Sequence, residues 1–269
     1  MDVLQLLVSG LANGCVYGLI ALGFVLIYKA TEQVNFAQGD MMMLGAYVTL
    51  GLTNSQFMGL PFWFSVPMAV VLMGVFGYLL DLFVLRFVAG AIWGHEPISL
   101  ETPLAGRNVA FGGVVLGLDE IVIIGVTIVL TGALYVYFNS TRLGIAMQAA
   151  SQNQLAAYYM GIPVKRINSL IWALSGAVAA IAGILFASKG SMDPSIGLLG
   201  IKAFAAAVIG GFGSLPGALL GGLIVGIIEP FASRYVPSSY ALLIPYLLLF
   251  FVLVFRPHGI LAQVHSKKV

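Results

Sequence analysis

The chain has 269 residues, of which 60% are hydrophobic and only 8% are charged. Soluble domains carry about 25% charged residues, so this composition excludes a soluble protein. The net charge is +2 without a basic tract, which argues against a nucleic-acid partner. The single Cys15 excludes an intrachain disulfide and a cysteine-based metal site.

Long uncharged segments recur along the chain. A transmembrane helix needs about 20 mainly apolar residues, and no segment alternates as a membrane β-strand does. The longest segment has a polar break at 53–56, which divides it into two helices. The segments are Val3–Tyr28, Met41–Leu80, Ile121–Phe138, Ile167–Ser188, Ala203–Ile228 and Tyr235–Phe255. They predict an all-α, polytopic integral membrane protein, with one domain over residues 1–269 and about seven to eight transmembrane helices.

The basic residues predict how the chain is oriented in the membrane. Asp2 precedes the first apolar segment and Lys29 follows it. Residues 142–166 include three basic residues and no acidic residue, and the C-terminal tail is also basic. Because basic loops stay in the cytoplasm, we expect the N-terminus outside, and 142–166 and the C-terminus inside.

This orientation conflicts with the number of crossings. It requires an odd number before Arg142, yet the apolar segments supply four. Leu60–Val88 would form about 43 Å of helix at 1.5 Å per residue, which is long for one span and short for two. Either a long helix projects from the membrane, or a segment of ~20 residues has been lost near Asp81–Leu82.

A run of glycine and proline interrupts the segment 203–228. Such a run stops a regular helix, and two half-helices meeting there could enter and leave on one side of the membrane. Broken helices at membrane depth occur where the backbone is packed in protein or lines a cavity, so a pathway or packing element is expected. Its residues are Gly210, Gly211, Gly213, Pro216 and Gly217.

Gly10, Gly14 and Gly18 recur every fourth residue on the first helix. This spacing lets helix backbones approach closely, either within the chain or against a second subunit.

The chain carries no enzyme motif. It lacks a phosphate-binding G-x-x-x-x-G-K-[ST] loop, and its three histidines are far apart. Asp119 and Glu120 are interpreted as the acidic start of a helix. We therefore expect no catalytic residue, metal or cofactor, and any ATP hydrolysis would belong to partner subunits.

Polar residues inside apolar helices are costly and usually face a cavity, or they bind neighbouring helices. Asn13 and Tyr17 are four apart on one face of the first helix. Asn35 and Gln38 lie in a polar turn, and Glu229 follows the broken element, which Lys202 begins. We interpret Asn13, Tyr17, Asn35, Gln38 and Glu229 as candidate pathway residues, with interhelical hydrogen bonding as the alternative.

Residues 142–166 predict a mildly amphipathic helix on the cytoplasmic face, which ends near Gly161 and Pro163. Such a helix can dock into a groove of another protein or rest on lipid headgroups.

The polar turn, this cytoplasmic segment and the glycine break resemble the branched-chain amino acid class of ATP-binding cassette importer permeases, in particular the high-affinity leucine/isoleucine/valine type. The matching residues are Val34–Gly39, Arg142–Gly144, Ala149–Ala150, Gly161–Ile162, Lys202–Phe204, Gly210–Ala218 and Arg256–Ile260.

The resemblance implies a subunit of a bacterial inner-membrane complex. Its partners would be a second homologous permease, two cytoplasmic ATPase subunits and a periplasmic substrate-binding protein. The segment 142–166 would be the coupling loop, with Arg142, Ala149, Ala150, Gly161 and Lys165 as its coupling residues. Members of this family usually have two helices joined by a basic turn where this chain reads Asp81–Leu82.

Three readings remain open for the cargo and the mechanism. The first is an importer of branched-chain amino acids. Importers of urea or short amides share the same motifs, and a secondary transporter working alone is the rival from another class.

Overall fold

The computed structural model describes residues 2–31, 34–55, 58–79, 98–99, 103, 107–111, 114–192, 199–237, 240 and 243–261. Helices make up most of these ranges, joined by two short antiparallel strand pairs. The helices are α1 (Asp2–Thr31), α2 (Gln38–Thr53), α3 (Phe62–Leu79), α4 (Leu118–Ser140), α5 (Arg142–Gln152), α6 (Gln154–Tyr159), α7 (Val164–Ala187), α8 (Leu199–Gly210), α9 (Leu215–Tyr235) and α10 (Ile244–Phe255). Strand β1 (Ile98–Ser99) pairs with β4 (Ser191–Met192), and β2 (Asn108–Phe111) pairs with β3 (Val114–Gly117).

Within the described residues, four helices are long and apolar enough to cross a membrane, namely α1, α4, α7 and α9. Shorter apolar helices accompany them at α3, α8 and α10. The predicted all-α, polytopic membrane fold is confirmed. The proposed loss near Asp81–Leu82 falls outside the described residues.

Helix α1 lies at the centre of the bundle. In its most apolar stretch 89% of the residues are buried inside the chain, against 22% in α4. A helix that is apolar on all sides is buried on all sides, and α1 packs against α7, α8 and α9. Helix α4 instead leaves much of its apolar surface outward, as expected of a helix that borders lipid.

The glycines of α1 allow α9 to pack closely against it. A Cβ atom on Gly14 would lie 2.8 Å from the Cα of Leu223 and 2.9 Å from the carbonyl oxygen of Gly222. A Cβ on Gly10 would lie 3.0 Å from the carbonyl oxygen of Gly226. Of the two interpretations of the four-residue glycine spacing, packing within the chain is the one realised here.

The glycine and proline run breaks the chain into a helical hairpin, as predicted. Gly211 has a φ of +105°, a left-handed conformation that favours glycine. The Ser214 side chain then caps α9 by accepting a hydrogen bond of 3.1 Å from the Gly217 amide. The arms are unequal, because α8 measures about 18 Å and α9 about 31 Å at 1.5 Å per residue. Only α8 is therefore a half-helix, and α9 can cross the membrane by itself.

Candidate translocation and coupling sites

One face of α1 presents three polar side chains at successive turns. Ser9, Asn13 and Tyr17 are spaced by four residues, which aligns them along the helix. Over these eight residues α1 rises about 12 Å. Each side chain hydrogen-bonds to an ionisable residue from a different part of the chain. We refer to Ser9, Asn13 and Tyr17 as the polar ladder.

The ladder begins near the N-terminal end of α1. The Ser9 hydroxyl donates a hydrogen bond of 2.5 Å to Glu120 Oε1. Glu120 lies in the first turn of α4, where the sequence predicted an acidic helix start. Beside Ser9 is an open cavity of about 260 Å³, which is also lined by Gln5, Leu6 and Arg234. The Ser9 end of the polar ladder is therefore polar and accessible.

The second step joins α1 to the end of α7. Lys189 Nζ donates a hydrogen bond of 2.7 Å to Asn13 Oδ1. Burial lowers the pKa of the Lys189 ammonium below its ordinary value, while the nearby charges of Glu120 and Asp119 act in the opposite direction. A lysine and two carboxylates thus lie within electrostatic reach of one another around Asn13.

The third step is an ion pair between the two arms of the hairpin. Lys202 Nζ in α8 and Glu229 Oε1 in α9 are 2.5 Å apart. The Tyr17 hydroxyl donates a hydrogen bond of 2.6 Å to the other carboxylate oxygen, Glu229 Oε2. The Lys202 and Glu229 side chains are 17% and 18% exposed, whereas Tyr17 is 4% exposed. The ion pair therefore remains in contact with solvent-accessible space.

The predicted pathway residues divide into two groups. Asn13, Tyr17 and Glu229 all belong to the polar ladder or contact it directly. The sequence does not single out Ser9 or Lys189, and at Glu120 it indicates only the start of a helix. Ser9 continues the four-residue spacing of Asn13 and Tyr17, so it could have been found, whereas no local signal marks Lys189.

Asn35 and Gln38 lie apart from the ladder, where α2 begins. The Asn35 side chain accepts a hydrogen bond of 3.1 Å from the Ala37 amide and stabilises the turn before α2. Gln38 is fully buried, and its Oε1 accepts a 3.1 Å hydrogen bond from the Ser175 hydroxyl, which also lies 3.0 Å from the Gly23 carbonyl oxygen. This arrangement ties α1, α2 and α7 together at one junction.

Where the sequence predicted one amphipathic helix, the coupling segment contains two short helices, α5 and α6, and ends in the first turn of α7. Thr141 caps α5 by accepting a 2.9 Å hydrogen bond from Gly144 N, and Asn153 caps α6 by accepting one of 2.9 Å from Ala156 N. Gly161 ends the pair with a φ of +83° and has open space around it. The two helices are thus individually capped and joined at Asn153.

Burial distinguishes two sides of this segment. Ala150 is buried, Ala149 is half-buried, and Arg142 and Lys165 are exposed. Large side chains on α6 and directly after it are exposed. They are Leu155, Tyr158, Tyr159 and Met160. Because such a cluster is unfavourable in water, it suits contact with another surface.

The hairpin tip lies beside the coupling segment. A cavity of about 220 Å³ separates them and is lined by Lys29, Asn139 and Gln148 on one side and by residues 213–216 on the other. Gln148 Nε2 donates a 2.8 Å hydrogen bond to the Phe138 carbonyl oxygen, which connects α5 to the end of α4. Tyr28, near the end of α1, packs on Phe212 with ring centroids 4.9 Å apart. The tip and α5 are therefore at the C-terminal end of α1, opposite the start of the ladder.

The chain after α10 closes the same end. The Ile260 amide donates a hydrogen bond of 2.9 Å to the Ile209 carbonyl oxygen, and the Leu261 amide donates one of 3.0 Å to that of Gly210. These bonds satisfy carbonyl groups that the end of α8 leaves open. The hairpin tip is thus held by the C-terminal segment on one flank and faces the cavity beside α5 on the other.

Comparison with known proteins adds independent information. The family model described as "Branched-chain amino acid transport system / permease component" matches residues 6–93 and 88–253. The match is in two pieces that overlap at residues 88–93. This overlap is close to Asp81–Leu82, where the sequence indicates a lost segment. No solved structure matches the chain.

Three relatives illustrate the similarity. The high-affinity branched-chain amino acid transport system permease protein BraD of Pseudomonas aeruginosa is 34% identical, over 99% of this chain and 98% of its own length. The corresponding protein LivH of Escherichia coli is 30% identical over 99% and 97%. A probable branched-chain amino acid transport permease of Methanocaldococcus jannaschii is 30% identical over 90% and 87%.

The alignment with the Pseudomonas protein has 304 positions, whereas this chain has 269 residues, so at least 35 positions have no residue here. The relatives are nevertheless matched along almost their whole length. With the family model covering most of the chain, this protein belongs to the family of permease components of branched-chain amino acid transport systems.

Proposed function

We propose that this chain is the transmembrane subunit of an ATP-driven importer that carries branched-chain amino acids across a bacterial inner membrane. The observation that carries the proposal is the separation of two sites along α1. A polar ladder with charged partners lies at one end, and a pair of capped helices with an exposed apolar cluster lies at the other. The names of the relatives, matched over nearly their full length, support the class of cargo.

The ladder end would face outward, where a periplasmic binding protein delivers the cargo. The coupling segment, Arg142–Arg166, and the C-terminus would face the cytoplasm. This orientation follows from the excess of basic residues in the segment and in the tail. It agrees with the positions of Lys29 and α5 at one end of the bundle.

The partners in this proposal are a second homologous permease, two cytoplasmic ATPase subunits and the binding protein. The ATPase would dock on α5 and α6, with Arg142, Lys165 and Gly161 at the edge of the contact. Ala149 and Ala150 face the body of the permease and would allow α5 to pack closely there. ATP hydrolysis belongs to the partner.

A movement of α5 has a direct route to the pathway. Gln148 links α5 to α4, and the 220 Å³ cavity lies between α5 and the hairpin tip. The hairpin carries Lys202 on one arm and Glu229 on the other, so a movement of one arm relative to the other would change the geometry of the ion pair. Sliding of packed helices past one another can switch a pathway between outward and inward access.

The charges favour an amino acid over urea or a short amide as the cargo. Urea is neutral and needs only hydrogen-bonding groups, whereas a zwitterion needs compensation for two opposite charges. The ladder brings lysines and glutamates together, as a zwitterion requires.

Co-purification tests the docking surface. The permease is expressed with its full complex and isolated through a tag on the permease. We expect Tyr159→Arg to reduce the recovered ATPase by about tenfold. The arginine would place a charge in the apolar contact that α6 forms with the ATPase in the complex. Tyr240→Arg is the matched control, since Tyr240 is also exposed but lies between α9 and α10. If both variants retain the ATPase, docking on α6 is contradicted.

A further inference from the structure

We infer that the ion pair Lys202–Glu229, reached along the polar ladder, binds the charged groups of a zwitterionic amino acid. Glu229 takes the ammonium group and Lys202 takes the carboxylate. The inference deepens the proposed function and rests on it for the class of cargo. It assigns a binding site to the point where α8 and α9 meet Tyr17 of α1.

The cargo's two charges need compensation. An ammonium or a carboxylate group that leaves water without a partner is destabilised by several kcal/mol or more. A zwitterion carries both groups on one carbon atom, and a cation and an anion side by side compensate both at once. Lys202 and Glu229 provide these at a separation of 2.5 Å.

Exchange with the cargo would leave no charge uncompensated. In the resting pair each charged side chain neutralises the other. When the zwitterion enters, its ammonium group replaces Lys202 at Glu229 and its carboxylate replaces Glu229 at Lys202. Because every charge keeps an opposite partner, the large penalty of an isolated buried charge is avoided.

The geometry suits this opening. Tyr17 holds Glu229 through Oε2 while Lys202 binds Oε1, so the carboxylate stays in place when the lysine moves away. Lys202 is borne by the short arm α8 on a long, flexible side chain. Both side chains are partly exposed, so cargo can reach them.

At the Ser9 end of the polar ladder, a second pair of opposite charges precedes Lys202–Glu229. Ser9 binds Glu120, and Asn13 binds Lys189, which again brings a carboxylate and an ammonium group to one face of α1. The 260 Å³ cavity beside Ser9 opens above them. A zwitterion can therefore pass from one set of paired charges to the next over about two helical turns.

The test compares single and double neutral variants in the full complex, reconstituted in liposomes with binding protein and ATP. Leucine uptake and the ATP hydrolysis stimulated by binding protein are measured in the same vesicles. We expect Glu229→Gln and Lys202→Met each to lower uptake by about tenfold or more, because each removes a charged hydrogen-bonding partner of the cargo. The control is Asp40→Asn at the start of α2, which also replaces a carboxylate with an amide and should leave uptake unaltered.

The double variant E229Q/K202M separates binding from a purely structural ion pair. Removing both charges leaves none unpaired, so a structural role predicts recovery of uptake. The inference predicts that ATP hydrolysis is still stimulated by binding protein while uptake stays low. Recovery of uptake, or normal uptake in both single variants, would overturn it. A wild-type complex that takes up no leucine would contradict the proposed function, and the zwitterion assignment with it.

Discussion

Two faces of α1 carry residues at the same period and serve different purposes. Gly10, Gly14 and Gly18 bring the backbone of α9 into contact, whereas the polar ladder, offset by one residue, meets three ionisable side chains from different parts of the chain. One face is fixed by contacts between backbones, which cannot adjust. The other consists of side chains that can exchange partners. Helix α1 therefore has one face whose backbone packing is fixed and one face whose side-chain contacts can change, here called the adaptable face.

The largest effect is expected on the glycine face. In Gly14→Ala the new methyl group would overlap backbone atoms of Leu223 and Gly222, and overpacking of this kind costs about 1–3 kcal/mol. We expect a lower thermal unfolding midpoint of the purified permease and less protein in the membrane. Gly125→Ala in α4 is the control, because nothing lies within 4 Å of its position. Equal midpoints for the two variants would show that the close packing is not needed.

A smaller effect is expected where the coupling segment ends. Gly161 has a φ of +83° with open space around it, so Gly161→Ala adds backbone strain of about 1–2 kcal/mol without a clash. The strain should displace the end of α6 and lower ATP-driven uptake while the bundle stays assembled. Gly190→Ala also has open space and no positive φ, and it should behave as wild type. Unchanged uptake in Gly161→Ala would remove this residue from the coupling surface.

On the adaptable face, Tyr17→Phe removes one hydroxyl group and keeps the ring. The Glu229 carboxylate then loses one of its two partners, and a loss of about 1 kcal/mol corresponds to about a fivefold decrease in uptake. The unfolding midpoint should change less than in Gly14→Ala. A variant that unfolds more readily than Gly14→Ala, with normal uptake, would make this face structural as well.

The smallest effect is expected at the top of the ladder. Ser9→Ala removes the hydrogen bond to Glu120 but leaves the cavity beside it open, so uptake at low leucine concentration should fall by about twofold. Titration of the uptake rate against leucine measures this. A larger decrease in uptake in Ser9→Ala than in Tyr17→Phe would contradict this ranking of the two hydrogen bonds.

The sequence predicts the fold better than the site. The segment Ile121–Phe138 anticipates α4, and the glycine run anticipates the hairpin, because apolar length and helix-breaking residues act locally. Asn13 stands out in the sequence as a polar residue in an apolar helix, but its partner Lys189 is 176 positions away. Such a contact depends on how α1 and α7 pack, which no local pattern contains.

The two polar residues at the start of α2 show the same limit. The sequence places Asn35 and Gln38 in one group with Asn13, because all three are polar and lie in or near apolar segments. The structure instead gives Asn35 a turn and buries Gln38 at a junction of three helices. Residue type alone does not distinguish a side chain that stabilises a junction from one that faces a cavity.

The most direct test of the central claim is uptake of radiolabelled leucine into liposomes that contain the complete complex. We predict that leucine uptake requires ATP inside, binding protein outside and this permease. Excess unlabelled isoleucine should suppress this uptake, whereas excess urea should not. Uptake that proceeds without ATP, or that urea suppresses as strongly as isoleucine, would contradict the account.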